Sequence, residues 1–273
     1  MVEPKLIDVH THAYPRPLAE RALSRVLEYG VRPAMDGTVE GLLAAMDRHG
    51  VEASVVCSIA TRPGQFSTLL DWCRGIRSPR IIPFPSVHPE DPEAPAQLER
   101  VRGEGFRGVK LHPYYQGFDL DEPRLFPLYG RIEALGLVLL MHTGYDLAFA
   151  RFARADPARV LTVIERFPGL KIITTHFGGW EDWERVEELL VGRRLYMDVS
   201  HCQGEIDDEQ ARRILLAHPP EYLLFGSDAP WSDPGGTRDW IRRLLPDQRR
   251  LEALFHDNAV RLLGLEETRR EPG

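Results

Sequence analysis

The stretch Leu6-Ile-Asp-Val-His10-Thr-His12 decides which fold the sequence predicts. Residues 6–9 form a short apolar run typical of a buried strand, and a histidine-threonine-histidine turn follows at once. An open, doubly wound α/β sheet would carry a glycine-rich phosphate turn at this point. The end of the first strand therefore favours a closed barrel, provided that enough strands follow.

Seven more apolar runs follow, and segments with helical periodicity separate them. Including residues 6–9, the predicted strands cover 53–59, 81–85, 108–111, 137–141, 171–175, 195–199 and 222–225. Helices are predicted over 38–49, 121–135, 157–167, 181–190, 207–217, 237–245 and 248–263. Alternating strands and helices of this kind predict an α/β protein, a (β/α)8 TIM barrel in one domain over residues 1–273. Residues 13–37 are predicted as a long loop that forms part of a lid, and the tail 266–273 as frayed.

The composition is that of an ordinary soluble protein and argues against several functional classes. The formal net charge of -7 offers little to a nucleic-acid backbone. The three cysteines lack metal-site spacing, and their odd number argues against a disulfide framework. The apolar runs are too short for a signal peptide or a membrane span. We expect a cytoplasmic protein whose partner is a small-molecule substrate, neither nucleic acid nor membrane, with a homodimer open as an alternative to a monomer.

Polar side chains recur at the ends of the predicted strands. His10 and His12 stand two residues apart, so both can face the barrel axis, and paired imidazoles suit a metal such as zinc. Later strand ends supply Lys110, His112, His142, His176 and Asp228. Because the carboxyl ends of barrel strands converge on one site, these residues predict a metal centre there.

The same residues carry a resemblance to a known family. The motifs are His10-Thr-His12, Gly108-Val-Lys-Leu-His112-Pro, His142-Thr-Gly144, His176-Phe-Gly-Gly179, Gly226-Ser-Asp228-Ala-Pro-Trp231 and Asn258-Ala259. In this order, and over almost the whole chain, they resemble the amidohydrolase superfamily. Within it they resemble the amidohydrolase-related branch that contains aminocarboxymuconate-semialdehyde decarboxylase. The resemblance implies a metal-dependent enzyme on a TIM barrel and leaves its substrate open.

The resemblance also implies a role for each strand-end residue. His10, His12, His142 and Asp228 would surround one divalent metal, with zinc the first choice. Zinc lowers the pKa of a bound water to about 7, and Asp228 could accept a proton from that water. His176 would stand beside the water or the substrate.

Lys110, His112 and Trp231 have several readings. In some branches a lysine at this strand end is carboxylated and bridges two metals, so a second metal is an alternative if Lys110 is carboxylated. Otherwise Lys110 could bind a substrate carboxylate or form an ion pair in the barrel mouth. His112 is predicted to contact either a metal-bound residue or the substrate. Trp231 either walls the pocket or only packs against it.

Further polar residues are assigned with less specific roles. Asp198 and His201 could orient a metal-bound histidine, or they could be a helix cap and an exposed loop residue. His88 is predicted as a loop residue rather than a ligand. The histidines on helices or at their ends, which are His49, His218 and His256, are predicted on the surface.

These residues favour hydrolysis of a small carbonyl substrate, such as a cyclic amide, a lactone or an ester. One alternative is non-oxidative decarboxylation of an aromatic or unsaturated acid, with Lys110, Arg16 or Arg62 as a carboxylate clamp. A second is a metal-dependent deoxyribonuclease, which the lysine at position 110 and the acidic net charge disfavour. A third is a barrel without catalytic activity that binds a metal or a partner, and the intact set of strand-end ligands argues against it.

Overall fold

The computed structural model describes residues 5–266. The two ends of the predicted domain, residues 1–4 and 267–273, lie outside the described residues, and so does all but the first residue of the tail predicted to fray.

Eight parallel strands form the barrel, and each falls where the sequence predicts a strand. They are β1 (Leu6–Thr11), β2 (Val51–Cys57), β3 (Ile81–Phe84), β4 (Gly108–Leu111), β5 (Val138–Met141), β6 (Lys171–Thr174), β7 (Tyr196–Asp198) and β8 (Leu223–Leu224). Ladders join β1 to β3 and β4 to β8 in chain order. Across the gap between β3 and β4, the Lys110 N–H donates to the Pro85 carbonyl oxygen at 2.9 Å. The predicted (β/α)8 barrel is therefore confirmed.

The barrel closes where β8 meets β1. The Val9 N–H donates to the Phe225 carbonyl oxygen at 2.9 Å. Beyond the end of β8, the Asp228 N–H donates to the His10 carbonyl oxygen at 2.8 Å, and the His12 N–H donates to the Ala229 carbonyl oxygen at 2.6 Å. We call this junction the closing seam. It brings three predicted metal ligands from the two ends of the barrel sequence to one place.

Helices alternate with the strands along the described part of the chain. They are α1 (Arg16–Leu27), α2 (Val39–His49), α3 (Phe66–Ile76), α4 (Ala94–Gly103), α5 (Pro113–Gln116), α6 (Phe126–Ala134), α7 (Pro157–Arg166), α8 (Trp183–Leu189), α9 (Asp208–Ala217), α10 (Pro234–Leu244), α11 (Gln248–Glu252) and α12 (Asn258–Leu263). A π-helical segment, Ala253–Asp257, joins the last two. None of the helices in the described part of the chain is long and apolar enough to cross a membrane.

The ends of two helices follow from local chemistry that the sequence displays. Asp156 accepts a hydrogen bond from the Ala158 N–H at the start of α7, and Pro157 occupies the first turn. Gly50 ends α2 with a φ of 69°, a conformation in which glycine carries no steric penalty.

The predicted loop over residues 13–37 is partly wrong, because α1 occupies its centre. Pro15 precedes the helix and Pro17 lies in its first turn. Proline interrupts helices in general but fits this first turn, since the backbone N–H groups there have no partner within the helix. Ala19 is the buried residue of α1, so the segment has little of the apolar periodicity that identifies a helix.

Candidate active site

Three of the four predicted metal ligands converge at the closing seam. His10 Nε2 lies 3.3 Å from Asp228 Oδ1, and His12 Nε2 lies 3.2 Å from the same oxygen. All three side chains are buried. These ligand atoms lie within 4.8 Å of one another, close enough for one ion. We call these three residues the seam cluster.

The outer nitrogens of both histidines are held by other groups. His10 Nδ1 lies 3.1 Å from Asp198 Oδ2 and 3.0 Å from Ser200 Oγ. His12 Nδ1 lies 3.1 Å from the Cys57 carbonyl oxygen. A carbonyl oxygen can only accept, so this contact places the proton of His12 on Nδ1 and leaves a lone pair on Nε2.

The seam cluster fits a divalent cation. Asp228 Oδ1 is a buried oxygen without a hydrogen-bond partner among the described residues, and it faces the Nε2 atoms of His10 and His12. A buried carboxylate oxygen without a partner is costly. A cation placed among these electron-rich atoms would satisfy all three, and two nitrogens with one oxygen are donors that zinc accepts.

Electrostatics keep the surroundings of the cluster in the protonation states that a cation needs. Burial, together with the charge of Lys110, lowers the pKa of His10 to about 4, so the ring is neutral near pH 7. Burial opposes ionisation of Asp198, but the contact with His10 and the hydrogen bond from Ser200 bring the pKa of this carboxyl to about 2. Asp198 is therefore an anion that can orient a neutral His10.

His142, the fourth predicted ligand, lies in a neighbouring group and not in the seam cluster. Its Nε2 donates to the Tyr145 carbonyl oxygen at 2.9 Å and lies 3.9 Å from Asp146 Oδ2. His112 Nε2 lies 3.3 Å from that carboxylate oxygen, and its ring stacks on His142 with centroids 4.1 Å apart. His112, His142 and Asp146 thus form a second set of ligand-type atoms beside the first.

His176 is placed by the same carboxylate that holds His10. The His176 N–H donates to Asp198 Oδ1 at 3.1 Å, and His176 Nδ1 donates to the Ser200 carbonyl oxygen at 3.0 Å. The ring centroid lies 5.5 Å from that of His10. His176 and Asp228 adopt φ values of 58° and 64°, a left-handed backbone that residues other than glycine adopt at some cost.

Lys110 reaches the seam cluster from β4. Its Nζ lies 3.4 Å from His10 Nε2, and the side chain is buried. No carboxylate of the described residues lies within ion-pair distance of it, and burial lowers its pKa. The predicted ion pair in the barrel mouth is therefore not formed within residues 5–266.

The site opens into a cavity of about 480 Å³ with largely apolar walls. The predicted site residues that line it are His10, His12, Lys110, His112, His142, His176, Asp228 and Trp231. Aromatic walls come from Tyr14, Tyr29, Trp72, Tyr115, Tyr145 and Trp180. Helix α1 forms one wall, so the segment predicted as part of a lid does border the site.

Two other histidines with predicted minor roles differ in their surroundings. His201 lines the cavity, where its Nδ1 lies 2.6 Å from Ser232 Oγ and its ring stacks on Trp180. It is therefore part of the wall and not an exposed loop residue. His88 is buried but does not line the cavity, and its Nδ1 accepts the Glu90 N–H at 3.2 Å.

Sequence reasoning missed several residues that shape the site. Asp146 had a signal, since it follows His142 by four residues just beyond β5. Gly144 was quoted only as part of a motif, and the structure gives its role: its φ is 85°, and a Cβ at this position would collide with the Trp180 backbone. Ser200 and the Cys57 carbonyl group had no signal, because only the register of the barrel brings them to the histidines.

Solved structures share this fold at low sequence identity. An uncharacterised TIM-barrel protein from Bordetella bronchiseptica is 20% identical with a TM-score of 0.76, over 95% of this chain and 98% of that one. The 5-carboxyvanillate decarboxylase from Sphingomonas paucimobilis is 19% identical with a TM-score of 0.71, over 96% and 99%. A 2,6-dihydroxybenzoate decarboxylase solved with 2,6-dihydroxybenzoate is 18% identical with a TM-score of 0.71, over 97% and 100%.

Sequence comparison places the chain in a family. A dihydroorotase from Azoarcus sp. (strain BH72) is 31% identical over an alignment of 104 residues that covers 34% of this chain and only 30% of the dihydroorotase. The sequence also matches the amidohydrolase family over residues 7–265, nearly its whole length. The predicted family is thereby confirmed: the protein is an enzyme that belongs to the amidohydrolase family.

Proposed function

We propose that this enzyme hydrolyses a small carbonyl compound, such as a cyclic amide, a lactone or an ester, at the seam cluster. One observation carries the proposal. Asp228 Oδ1 is buried without a hydrogen-bond partner in the described residues and faces the Nε2 atoms of His10 and His12 at 3.3 and 3.2 Å. Such a carboxylate is well placed to accept a proton from a water molecule at the cluster.

The residues around the cluster have separate roles in the proposed reaction. Asp198 orients His10 through Nδ1, as a carboxylate commonly does for a metal-bound histidine. His176 is held through Nδ1 by Ser200, so Nε2 is the nitrogen left to contact substrate or to protonate a leaving group. The cavity is large enough for a small molecule, and its walls are largely apolar.

We propose one divalent ion, with zinc first, held by His10, His12 and Asp228. When bound, this ion would acidify water and polarise a carbonyl group. His142 would join as a ligand only after its hydrogen bond to the Tyr145 carbonyl oxygen breaks. Metal analysis tests the count, and a second equivalent that requires bicarbonate would point to carboxylated Lys110.

Decarboxylation of an aromatic or unsaturated acid is the second candidate. The observation that favours it is the pairing of apolar walls with basic side chains, because the cavity is lined by Arg21, Arg25 and Lys110. The other two residues suggested as a clamp, Arg16 and Arg62, do not line this cavity. The decarboxylases with this fold are too distant in sequence to decide between the two reactions.

One screen separates the two reactions. Purified enzyme is offered lactones, esters and cyclic amides with acid formation measured, and 2-carboxylated aromatics with CO2 release measured. Hydrolysis that disappears on chelation and returns with zinc supports the proposal. Asp228→Asn should lower kcat/KM by about 10²- to 10⁴-fold, whereas the exposed helix-cap variant Asp247→Asn should not. Hydrolysis that survives chelation contradicts the proposal, and CO2 release alone would transfer the assignment to decarboxylation.

A further inference from the structure

Helix α1 turns an apolar stripe towards the active-site cavity rather than towards the core. Leu18, Ala22 and Val26 follow one another at intervals of four residues, so they share one face of the helix, and all three line the cavity. The apolar stripe of a surface helix ordinarily packs on the core, but the buried residue of α1 is Ala19. Leu18 is 49% exposed, and Tyr29, just beyond the helix, is 41% exposed and also lines the cavity. This wall therefore stays in contact with water until a ligand covers it.

Helix α3 supplies a second apolar wall of the same cavity. Its buried residues are Phe66, Leu70 and Cys73, which repeat at helical spacing and face the core. Leu69 and Trp72 lie outside this buried set, are only half-buried and line the cavity. Helix α3 thus carries apolar side chains beyond those that the core needs, and these border the cavity.

The reactive groups lie in the buried part of the cavity. The seam cluster and Lys110 are buried, whereas the α1 wall is half-buried or exposed. The charged residues on that wall, Arg21 and Arg25, are exposed. Arginine can lay its methylene groups along an apolar surface while the guanidinium group stays in water. A molecule whose carbonyl group reaches the seam cluster therefore has apolar walls beside the rest of its length.

Trp72 stands between this cavity and a second one of about 420 Å³. It lines both of them, together with Tyr14 and Pro15. The second cavity is also bordered by apolar side chains of α2 and α3, among them Leu43 and Ile76. Truncation of the indole ring would therefore open the first cavity towards further apolar space.

We propose that the substrate carries an unbranched apolar chain beside its reactive carbonyl group, that this chain lies along the α1 and α3 walls, and that Trp72 limits its length. Such a chain would cover Leu18, Tyr29 and Leu69 and remove their apolar surface from water. An alkyl-substituted lactone or an alkyl ester has this chemistry. The inference rests on the proposed function, because it takes the seam cluster as the place where the carbonyl group reacts.

Binding of methyl alkyl ketones tests the chain without any turnover, since a ketone has a carbonyl group but no bond to hydrolyse. Calorimetry gives the affinity of the purified full-length enzyme for ketones with ethyl, butyl, hexyl and octyl chains. We expect the affinity to rise about two- to fourfold with each added methylene group until the chain reaches Trp72. Leu18→Ser should weaken the hexyl ketone about five- to tenfold and leave the ethyl ketone nearly unchanged.

Leu27→Ser is the matched control, since Leu27 belongs to the same helix and is 54% exposed but does not line this cavity. It should bind every ketone as the parent does. The proposal is overturned if the affinity of the parent does not rise with chain length, if Leu18→Ser binds the hexyl ketone as the parent does, or if Leu27→Ser weakens it equally.

The role of Trp72 is tested with the same ketones. In the parent the gain in affinity should end before the octyl chain, whereas in Trp72→Ala it should continue to that chain. Trp72→Phe, which keeps an aromatic ring, should extend the limit less. A limit at the same chain length in the parent and both variants, or no limit in the parent, overturns this role. Because no bond is hydrolysed, a failed hydrolysis screen leaves these results intact, and binding that ignores chain length leaves the proposed reaction intact.

Discussion

The Asp198 carboxylate holds the His10 imidazole, with Oδ2 3.1 Å from Nδ1 in a fully buried contact. Its other oxygen accepts the His176 N–H at 3.1 Å. One side chain at the end of β7 therefore orients a proposed metal ligand and a proposed substrate contact together. Asp198 itself does not line the cavity, so its effect on a ligand must pass through the two histidines.

Asp198→Asn should weaken metal binding by about 10- to 100-fold, the usual cost of losing a carboxylate behind a metal-bound histidine. The amide keeps the size of the side chain but loses the charge that favours the required orientation of His10. Competition with a chromogenic chelator measures the zinc affinity. Asp247→Asn, at the exposed N-terminus of α11, controls for the amide substitution and should bind zinc as the parent does. Equal affinities in all three proteins would contradict the orienting role.

Zinc should stabilise the chelator-treated protein, because the ion binds only where the closing seam is formed. At a free concentration of about a thousand times Kd, the gain is about 4 kcal/mol. For a domain of this size that corresponds to a rise in Tm of about 10 °C. Magnesium, which prefers six oxygen ligands, is the control ion and should produce little change. A rise of the same size in the His12→Asn variant would show that the ion binds elsewhere.

His218 should make stability depend on pH. Burial lowers the pKa of His218 to about 4 against 6.5 for the ordinary side chain, although its contact with the Leu195 carbonyl oxygen works the other way. Between these values the unfolded chain binds the proton and the folded protein does not. The contribution is therefore complete above pH 6.5 and is lost as the pH falls towards 4, up to about 3 kcal/mol.

Urea unfolding of the parent and of His218→Gln at pH 7.5 and pH 4.5 measures this effect. The glutamine amide can still donate to the Leu195 carbonyl oxygen but does not titrate in this range. The stability advantage of the parent over the variant should shrink at the lower pH. An advantage that is constant across this range would refute the assignment. The sequence-based prediction of a surface position for His218 was wrong, because the side chain is buried.

Gly144→Ala should destabilise the protein by about 2 kcal/mol more than Gly117→Ala. Both glycines have positive φ values, 85° and 69°, so both substitutions carry the backbone strain. Only at position 144 would the new methyl group collide with the Trp180 backbone, whereas nothing lies within 4 Å at position 117. Overpacking of this kind costs about 1–3 kcal/mol. Equal losses in urea unfolding of the two variants would show that the loop adjusts freely.

The sequence predicts the barrel well because its strands are buried on both faces. Runs such as Val138–Met141 are continuously apolar, and this pattern does not depend on which residues pack against them. Helix α1 escaped prediction because it buries little and because prolines lie at its N-terminal end. Helix α3 also escaped, although Phe66, Leu70 and Cys73 repeat at helical spacing.

The sequence predicts the site residues that lie at the ends of strands, but not those whose positions depend on loops or on α1. His10, His12 and Asp228 meet because they lie at or just beyond the ends of β1 and β8, which are neighbours in the closed barrel. The separation of His142 from them depends on a hydrogen bond to the Tyr145 carbonyl oxygen, a contact of loop backbone that has no sequence signature. The position of Arg21 in the cavity lining was not predictable either, because it depends on α1, a helix that the sequence did not predict.

The closing seam also determines the stage of folding at which the site can form. Ser227 donates to Asp8 across 219 residues of sequence, and the bonds that join His10 and His12 to Asp228 and Ala229 span similar lengths. Loops of this length close late in folding, because their entropy cost must be met before the contact stabilises anything. On the ribosome, a growing chain that has emerged only as far as β8 already contains both histidines but lacks their carboxylate partner. The capacity to bind the proposed ion therefore requires that β8 and the segment after it have joined β1.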